Sequence, residues 1–301
     1  MKPLPATFVR TILGVFGDEG ALWLDTLPER INRLAERYEL TLGEPFDLSY
    51  NYVIAVTRRD GTPAVMKLSA PEGEAQDQIL ALRHYDGSGS VQLLEADLDE
   101  GFMLLERVLP GERLTLLPDD EEATRIAADV MSKLWRPLPA DHTFTTVEEW
   151  AEGLQRLRDR FDGGTGPLPA PLVERAEALY RELFASAPPP VLLHGDLHHE
   201  NILTSARAPY LAIDPKGVAG EPAYEVGPLL LNPWPGLLQW PNLAQVQARR
   251  VAILVEHLQL DRERLLACAI AHSVLSAAWS VEDHDDGWQH SIVVAETLLQ
   301  L

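Results

Sequence analysis

The chain has 301 residues, enough for one large domain or two modest ones, and its net charge of −21 repels nucleic-acid backbones and anionic membranes while drawing in a cationic ligand. The competing reading of that acidity is solubility alone, or the character of the host's proteins. One cysteine, Cys268, excludes a disulfide framework and suits a reducing compartment; no run of about twenty apolar residues occurs and Met1-Lys2-Pro3-Leu4-Pro5 does not open a signal segment, so the expected location is cytoplasmic.

In chain order, Leu27, Ile31, Leu34 and Tyr38 recur at helical spacing and predict a helical preface over residues 1–40. Phe46 to Val56 alternates toward strand character, Arg59-Asp60-Gly61-Thr62 reads as a turn, and Ala64-Val65-Met66-Lys67-Leu68 as a second strand, giving a hairpin with Asp-Gly chemistry. Lys67 is a lone cation in an apolar strand. It is either an edge-strand lysine facing solvent or the partner of nucleotide phosphates. The helix Glu74 to Tyr85 offers Glu74 to hold that lysine, with Asp77 nearby and Gln78 one turn later on the same face. A buried run, Phe102 to Val108, ends at Pro110-Gly111, where a long helical half begins. The domain boundary is placed there, giving 1–109 and 110–301.

Helices are predicted over roughly 119–135, 146–161 and 170–185, separated by proline- and glycine-rich segments. Next comes Val191-Leu192-Leu193-His194-Gly195-Asp196-Leu197-His198-His199-Glu200-Asn201-Ile202-Leu203, followed by Leu211-Ala212-Ile213-Asp214. Its short apolar runs favour buried strands flanking a polar loop. Asp196, Asn201 and Asp214 supply a base and two hard oxygen donors, the set that phosphoryl transfer with magnesium requires. Two other readings compete. His194, His198 and His199 with Asp196 could form a zinc or iron site, or the histidines could simply hydrogen-bond the loop.

The segment resembles the His-Gly-Asp-x-His-x-x-Asn signature of the aminoglycoside phosphotransferase family, and is most similar to its aminoglycoside/hydroxyurea resistance kinase branch. The resemblance runs through Ile213-Asp214-Pro215-Lys216, Gly220 to Glu225 and Leu229 to Pro233. It implies an α+β, bilobal, protein-kinase-like fold with a small N-terminal sheet lobe and a larger, mainly helical C-terminal lobe. It also implies ATP and Mg2+ as cofactors, Asp196 as base, and Asn201 and Asp214 as metal ligands. The nucleotide base would lie against main-chain groups around Glu106 to Val108, and an acid near Glu225 would brace the catalytic loop. The turn expected over the phosphates, Leu48-Ser49-Tyr50-Asn51-Tyr52, contains no glycine, so Ser49, Asn51 or ordinary amides would have to serve.

For the acceptor, Trp279-Ser280-Val281-Glu282-Asp283-His284-Asp285-Asp286-Gly287-Trp288 places carboxylates between two tryptophans, and Glu282 and Asp283 are the candidate contacts to a small, cationic, hydroxylated molecule. The same text also reads as an acidic turn between helices. The Pro-Trp stretch Asn232 to Pro241 is a loop that lines the acceptor or packs on the lobe. The whole predicts a phosphotransferase acting on an alcohol group. The rivals are a metabolic sugar kinase and a kinase-shaped protein that binds nucleotide without turnover.

Overall fold

The computed structural model describes residues 4–71, 75–283 and 287–301, and the chain forms two compact units, Met1–Val108 and Leu109–Leu301. The first comprises α1 (Ala6–Arg37), β1 (Leu40–Pro45), β2 (Tyr52–Arg58), β3 (Pro63–Leu68), α2 (Ala75–Tyr85), β4 (Leu93–Asp97) and β5 (Phe102–Glu106). Its strands make one antiparallel sheet in the order β1-β2-β3-β5-β4. Alternation assigns the faces. Ile54, Val56, Met66, Leu68, Phe102 and Leu104 form one core with Phe8, Ile12, Trp23, Leu27, Ile31 and Leu34 of α1. Lys67 has the opposite parity and lies on the other face, beside Val53 and Met103 in register. It is 5% exposed in a central strand, so the solvent-facing edge lysine is overturned.

The strand expected from Phe46 begins later. Phe46 N–H donates to Val53 O at 3.0 Å, which makes residues 46–51 the turn between β1 and β2. Apolar Phe46 and Leu48 in that turn mimic strand alternation, while β1 starts at Leu40, where the expected helical preface ends. The Asp-Gly turn forms as read: Thr62 N–H donates to Asp60 Oδ1 at 2.9 Å, and Gly61 takes φ +85°. Glu74 lies outside the described residues.

The second unit comprises β6 (Pro110–Arg113), α3 (Asp120–Leu134), β7 (Arg136–Pro137), α4 (Val147–Arg160), α5 (Ala170–Ala185), β8 (Val191–Leu193), β9 (Ile202–Ser205), β10 (Tyr210–Ala212), β11 (Val218–Gly220), α6 (Val226–Leu231), α7 (Leu243–Leu258), α8 (Arg262–Glu282) and α9 (Trp288–Leu298). Helix starts follow capping chemistry. The Asp119 carboxylate accepts from Glu121 N and Glu122 N, and Thr146 forms a capping box with Glu149. Helix α8 packs against α4, α5, α6, α7 and α9. It is long and apolar enough to cross a membrane, but 72% of its apolar window is buried inside this unit, where it serves as a core helix. Two small antiparallel sheets, β10-β9-β6 and β11-β8-β7, carry the polar loop between them.

Candidate active site

Strand β8 delivers the chain to His194, and the β9–β10 hairpin brings the third predicted residue back. Ile202 pairs with Ala212, and one step on Ile213 N–H donates to Asn201 O at 2.9 Å. That rung places Asp214 one residue beyond the partner of Asn201, at the hairpin's open end. Asn201 Nδ2 donates to Asp196 O at 2.9 Å, which joins the loop aspartate to the pair. These bonds bring the backbone of Asp196, Asn201 and the Ile213–Asp214 step to the same end of the hairpin. Asp214 adopts φ +60°, a left-handed conformation that aspartate tolerates better than most residues, and the chain leaves the strand line there. Lys216 N–H and Gly217 N–H then donate to His194 O, at 2.7 and 3.2 Å.

The histidines divide. His194 Nε2 donates to Ile213 O at 2.8 Å, which makes Nδ1 the acceptor for Asp196 N–H at 3.3 Å. Both ring nitrogens are thereby committed, and burial pushes its pKa down to about 3. His198 Nδ1 accepts from Glu200 N–H at 3.3 Å, and its Nε2 lies 3.5 Å from Asp196 Oδ1. His199 is 3% exposed and packed inward, and burial keeps it neutral. Among the described residues no group of three or more His, Cys, Asp or Glu side chains is arranged to hold a metal. The histidine-metal reading loses its ligands, and the loop-bonding reading gains two. The oxygen set fits magnesium instead. Asn201 has its nitrogen engaged with Asp196 O, so its amide oxygen is the end available to a hard cation.

Glu225 braces the loop from beneath. Fully buried, it accepts from His194 N–H at 2.7 Å with Oε2 and from Gly195 N–H at 2.9 Å with Oε1. Burial pushes its pKa up to about 7, against the opposing pull of the two amides. Behind it, Tyr180 OH and Tyr224 OH lie 2.9 Å apart, and Tyr224 OH meets His272 Nδ1 at 3.2 Å. Burial lowers His272 to about 4.

These groups set the acid stability. His194 and His272 have folded values below the unfolded 6.5, so the stability they give is full above 6.5 and drains as pH falls toward 3 and 4. Glu225 runs the other way, because its raised folded value contributes stability that is full below about 4.5 and is lost as pH rises through 7. The buried histidines, His199 and His290 among them, outnumber the one carboxylate, so stability shows a net loss as pH falls from 6.5 toward 4.5. Urea unfolding midpoints across that interval should fall steadily, and a His272→Phe variant should show a shallower slope. A flat profile in the wild-type protein would contradict the buried neutral histidines.

The other expected residues are placed as follows. In the first unit, Ser49 is exposed on the glycine-free turn, and Asn51 Oδ1 accepts from Ala70 N–H at 3.2 Å, tying that turn to the end of β3. Glu106 N–H donates to Gln92 O at 2.9 Å and its carboxylate accepts from Gln92 N–H at 3.1 Å, while Val108 is buried. In the second unit, the Glu282 carboxylate is held by Arg156 Nε at 2.9 Å, and Asp283 ends α8. Residues 284–286 lie outside the described set. Sequence reasoning passed over Trp150. Its ring packs where a Gly195 Cβ would stand, 2.8 Å away, and meets Trp279 edge-on with centroids 5.4 Å apart. A tryptophan in a helix start carries no signal of its own; only the spatial neighbour reveals it.

Residues 40–284 match the family model described as aminoglycoside/hydroxyurea antibiotic resistance kinase. The chain belongs to this family. It is 33% identical over 293 residues to a streptomycin 6-kinase of Streptomyces glaucescens, covering 94% of this chain and 91% of that one. It is also 33% identical over 311 residues to a hydroxyurea phosphotransferase of Kitasatospora aureofaciens, covering 98% and 86%. Among solved structures, a thermostable variant of an aminoglycoside phosphotransferase, in a ternary complex with ADP and hygromycin B, superposes with a TM-score of 0.63 at 15% identity over 89% of this chain and 96% of that one. The resistance-kinase chain thus has the protein-kinase-like fold, with its N-terminal sheet and mainly helical remainder, and is a phosphotransferase acting on hydroxyl groups.

Proposed function

We propose that this resistance kinase transfers the γ-phosphoryl group of ATP to a hydroxyl of a cationic, aminoglycoside-like acceptor, with streptomycin-type molecules first in line. The observation that supports the reading is the rung from Ile213 N–H to Asn201 O, with the bond from Asn201 Nδ2 to Asp196 O, which draw the segments bearing the two carboxylates and the carboxamide toward one braced loop. Asp196 orients the acceptor hydroxyl and takes its proton. Asn201 and Asp214 hold magnesium, which neutralises phosphate charge when bound. Lys67 pairs with nucleotide phosphates, and Glu106 to Val108 face the base; Ser49 and Asn51 belong to the turn over the phosphates. ATP as donor is supported by the ADP carried by the aminoglycoside phosphotransferase of the same fold. Glu282 and Asp283 are the acceptor carboxylates of this reading. Because Arg156 already neutralises Glu282, an incoming cation has to displace that guanidinium.

The test is an acceptor screen that follows ATP consumption with streptomycin, other aminoglycosides, hydroxyurea and simple sugars. Consumption with streptomycin-type acceptors is expected. Turnover confined to simple sugars would replace the resistance reading with a metabolic one. Nucleotide binding with no turnover on any acceptor would leave a binding protein.

A further inference from the structure

We propose that Lys216 is a catalytic residue, a fixed cation that contacts the transferring phosphoryl group beside Asp196; this rests on the phosphotransferase reading above. The first observation is the economy of lysine. The chain uses 21 arginines and only four lysines, at positions 2, 67, 133 and 216. Arginine makes many of the surface ion pairs among the described residues, such as Arg33–Glu100 and Arg125–Glu121, and Lys133 is an exposed residue in the last turn of α3. A lysine kept inside the signature region calls for a reason other than surface charge. A compact ammonium on a flexible stem can follow a group that moves between two oxygens, where a planar guanidinium fits a fixed fork.

Position supplies the second observation. The Lys216 main chain is pinned by its bond to His194 O at 2.7 Å, and Gly217, at φ +76°, bonds the same oxygen at 3.2 Å. The Lys216 Cβ lies 3.2 Å from where a Cβ on Gly195 would stand, so the root of the lysine stem rests against the residue preceding Asp196. Gly195 itself has φ +82° and is crowded by Trp150 and Val218 on its other sides, so a side chain there would be strained and would displace the stem. The side chain is half-buried, neither sealed in the core nor free in solvent.

Charge supplies the third. The centre gathers the carboxylates of Asp196 and Asp214 and must also receive a polyphosphate. His194 is neutral with both nitrogens used, and Arg207, the other permanent cation between residues 191 and 220, sits in the exposed turn at the closed end of the β9–β10 hairpin. Lys216 is thus the permanent cation of this segment at the site end. In the step, the acceptor oxygen bonds to the γ-phosphorus, and the bond from that phosphorus to its bridging oxygen breaks with the electron pair leaving on ADP. The acceptor proton goes to Asp196. Lys216 keeps its own proton throughout and stabilises the negative charge on the phosphoryl oxygens in flight.

Calorimetry on full-length protein tests this without an acceptor, by comparing magnesium-ADP with magnesium-ADP plus aluminium fluoride, a mimic of the transferring phosphoryl group. In Lys216→Met the affinity for magnesium-ADP should stay within about twofold, while affinity for the aluminium fluoride complex and kcat with the acceptor should each fall about a hundredfold. Lys216→Cys should behave alike and recover after alkylation with 2-bromoethylamine, which rebuilds a lysine-like ammonium. Cys268 is fully buried, so wild-type protein treated in parallel controls the reagent. Lys216→Met binding the aluminium fluoride complex as wild type does, or equal losses for both ligands with no recovery on alkylation, would overturn the assignment. Wild-type protein that fails to bind magnesium-ADP at all would fell the phosphotransferase reading itself, an outcome visible before any substitution is made.

Discussion

Asp196→Asn should lose acceptor phosphorylation by about a thousandfold, the scale on which a positioned base acts, while magnesium-nucleotide affinity changes little. The scaffold around the residue makes the substitution informative. The Asp196 carbonyl is held by Asn201 Nδ2, and its amide by His194 Nδ1, so neither main-chain anchor involves the carboxylate. The carboxamide is nearly isosteric and leaves the loop in place, but it has no basic oxygen for the acceptor proton and presents a donor on one side. Product formation with the acceptor identified by screening, together with calorimetric nucleotide binding, separates chemistry from folding. Turnover near the wild-type rate would remove Asp196 from the mechanism.

Glu225→Gln should weaken both the fold and the activity. In the wild-type chain each carboxylate oxygen receives a main-chain N–H, at 2.7 and 2.9 Å, in a fully buried setting. Glutamine replaces one oxygen with an amino group that faces a donor, so one amide of the His194–Gly195 pair is left without an acceptor and two donors oppose each other. Losing a charge-assisted bond and stranding a buried amide costs about 3 kcal/mol. The loop should then lose its set position for Asp196, and kcat should fall more than KM rises. Chemical unfolding and steady-state kinetics measure the two effects. A variant with wild-type stability and kcat would show that the loop is held by its other bonds alone.

Much of this site was legible in the residues because its parts are chemically distinct and close in sequence. Asp196, Asn201 and Asp214 stand beside short apolar runs that become β8, β9 and β10, and the rung between residues 201 and 213 follows from hairpin pairing. The helices of the second unit were legible from the proline- and glycine-rich segments that separate them. What stayed hidden depended on distant partners. Strand β4 alternates weakly, Leu93 to Asp97 being only partly buried, and it exists because β5 offers an edge. The start of β2 was blurred because Phe46 and Leu48 place apolar side chains in a turn. The contact of Trp150 with Gly195 joins residues 45 positions apart and leaves no local pattern. The pairing of Arg156 with Glu282 is equally silent, since each reads as an ordinary charge on a helix.

The open and closed ends of the β9–β10 hairpin have different tolerances for change in chain length. The closed end, around residues 206–209, is a surface connection remote from the loop, and additions there leave the rung intact. A single residue added within β9 or β10 turns one strand over, so that either Asn201 or Asp214 would project from the wrong face while everything beneath still folds. Relatives that keep this chemistry should therefore vary freely in the turn and hold the count of residues from each strand to its oxygen donor constant.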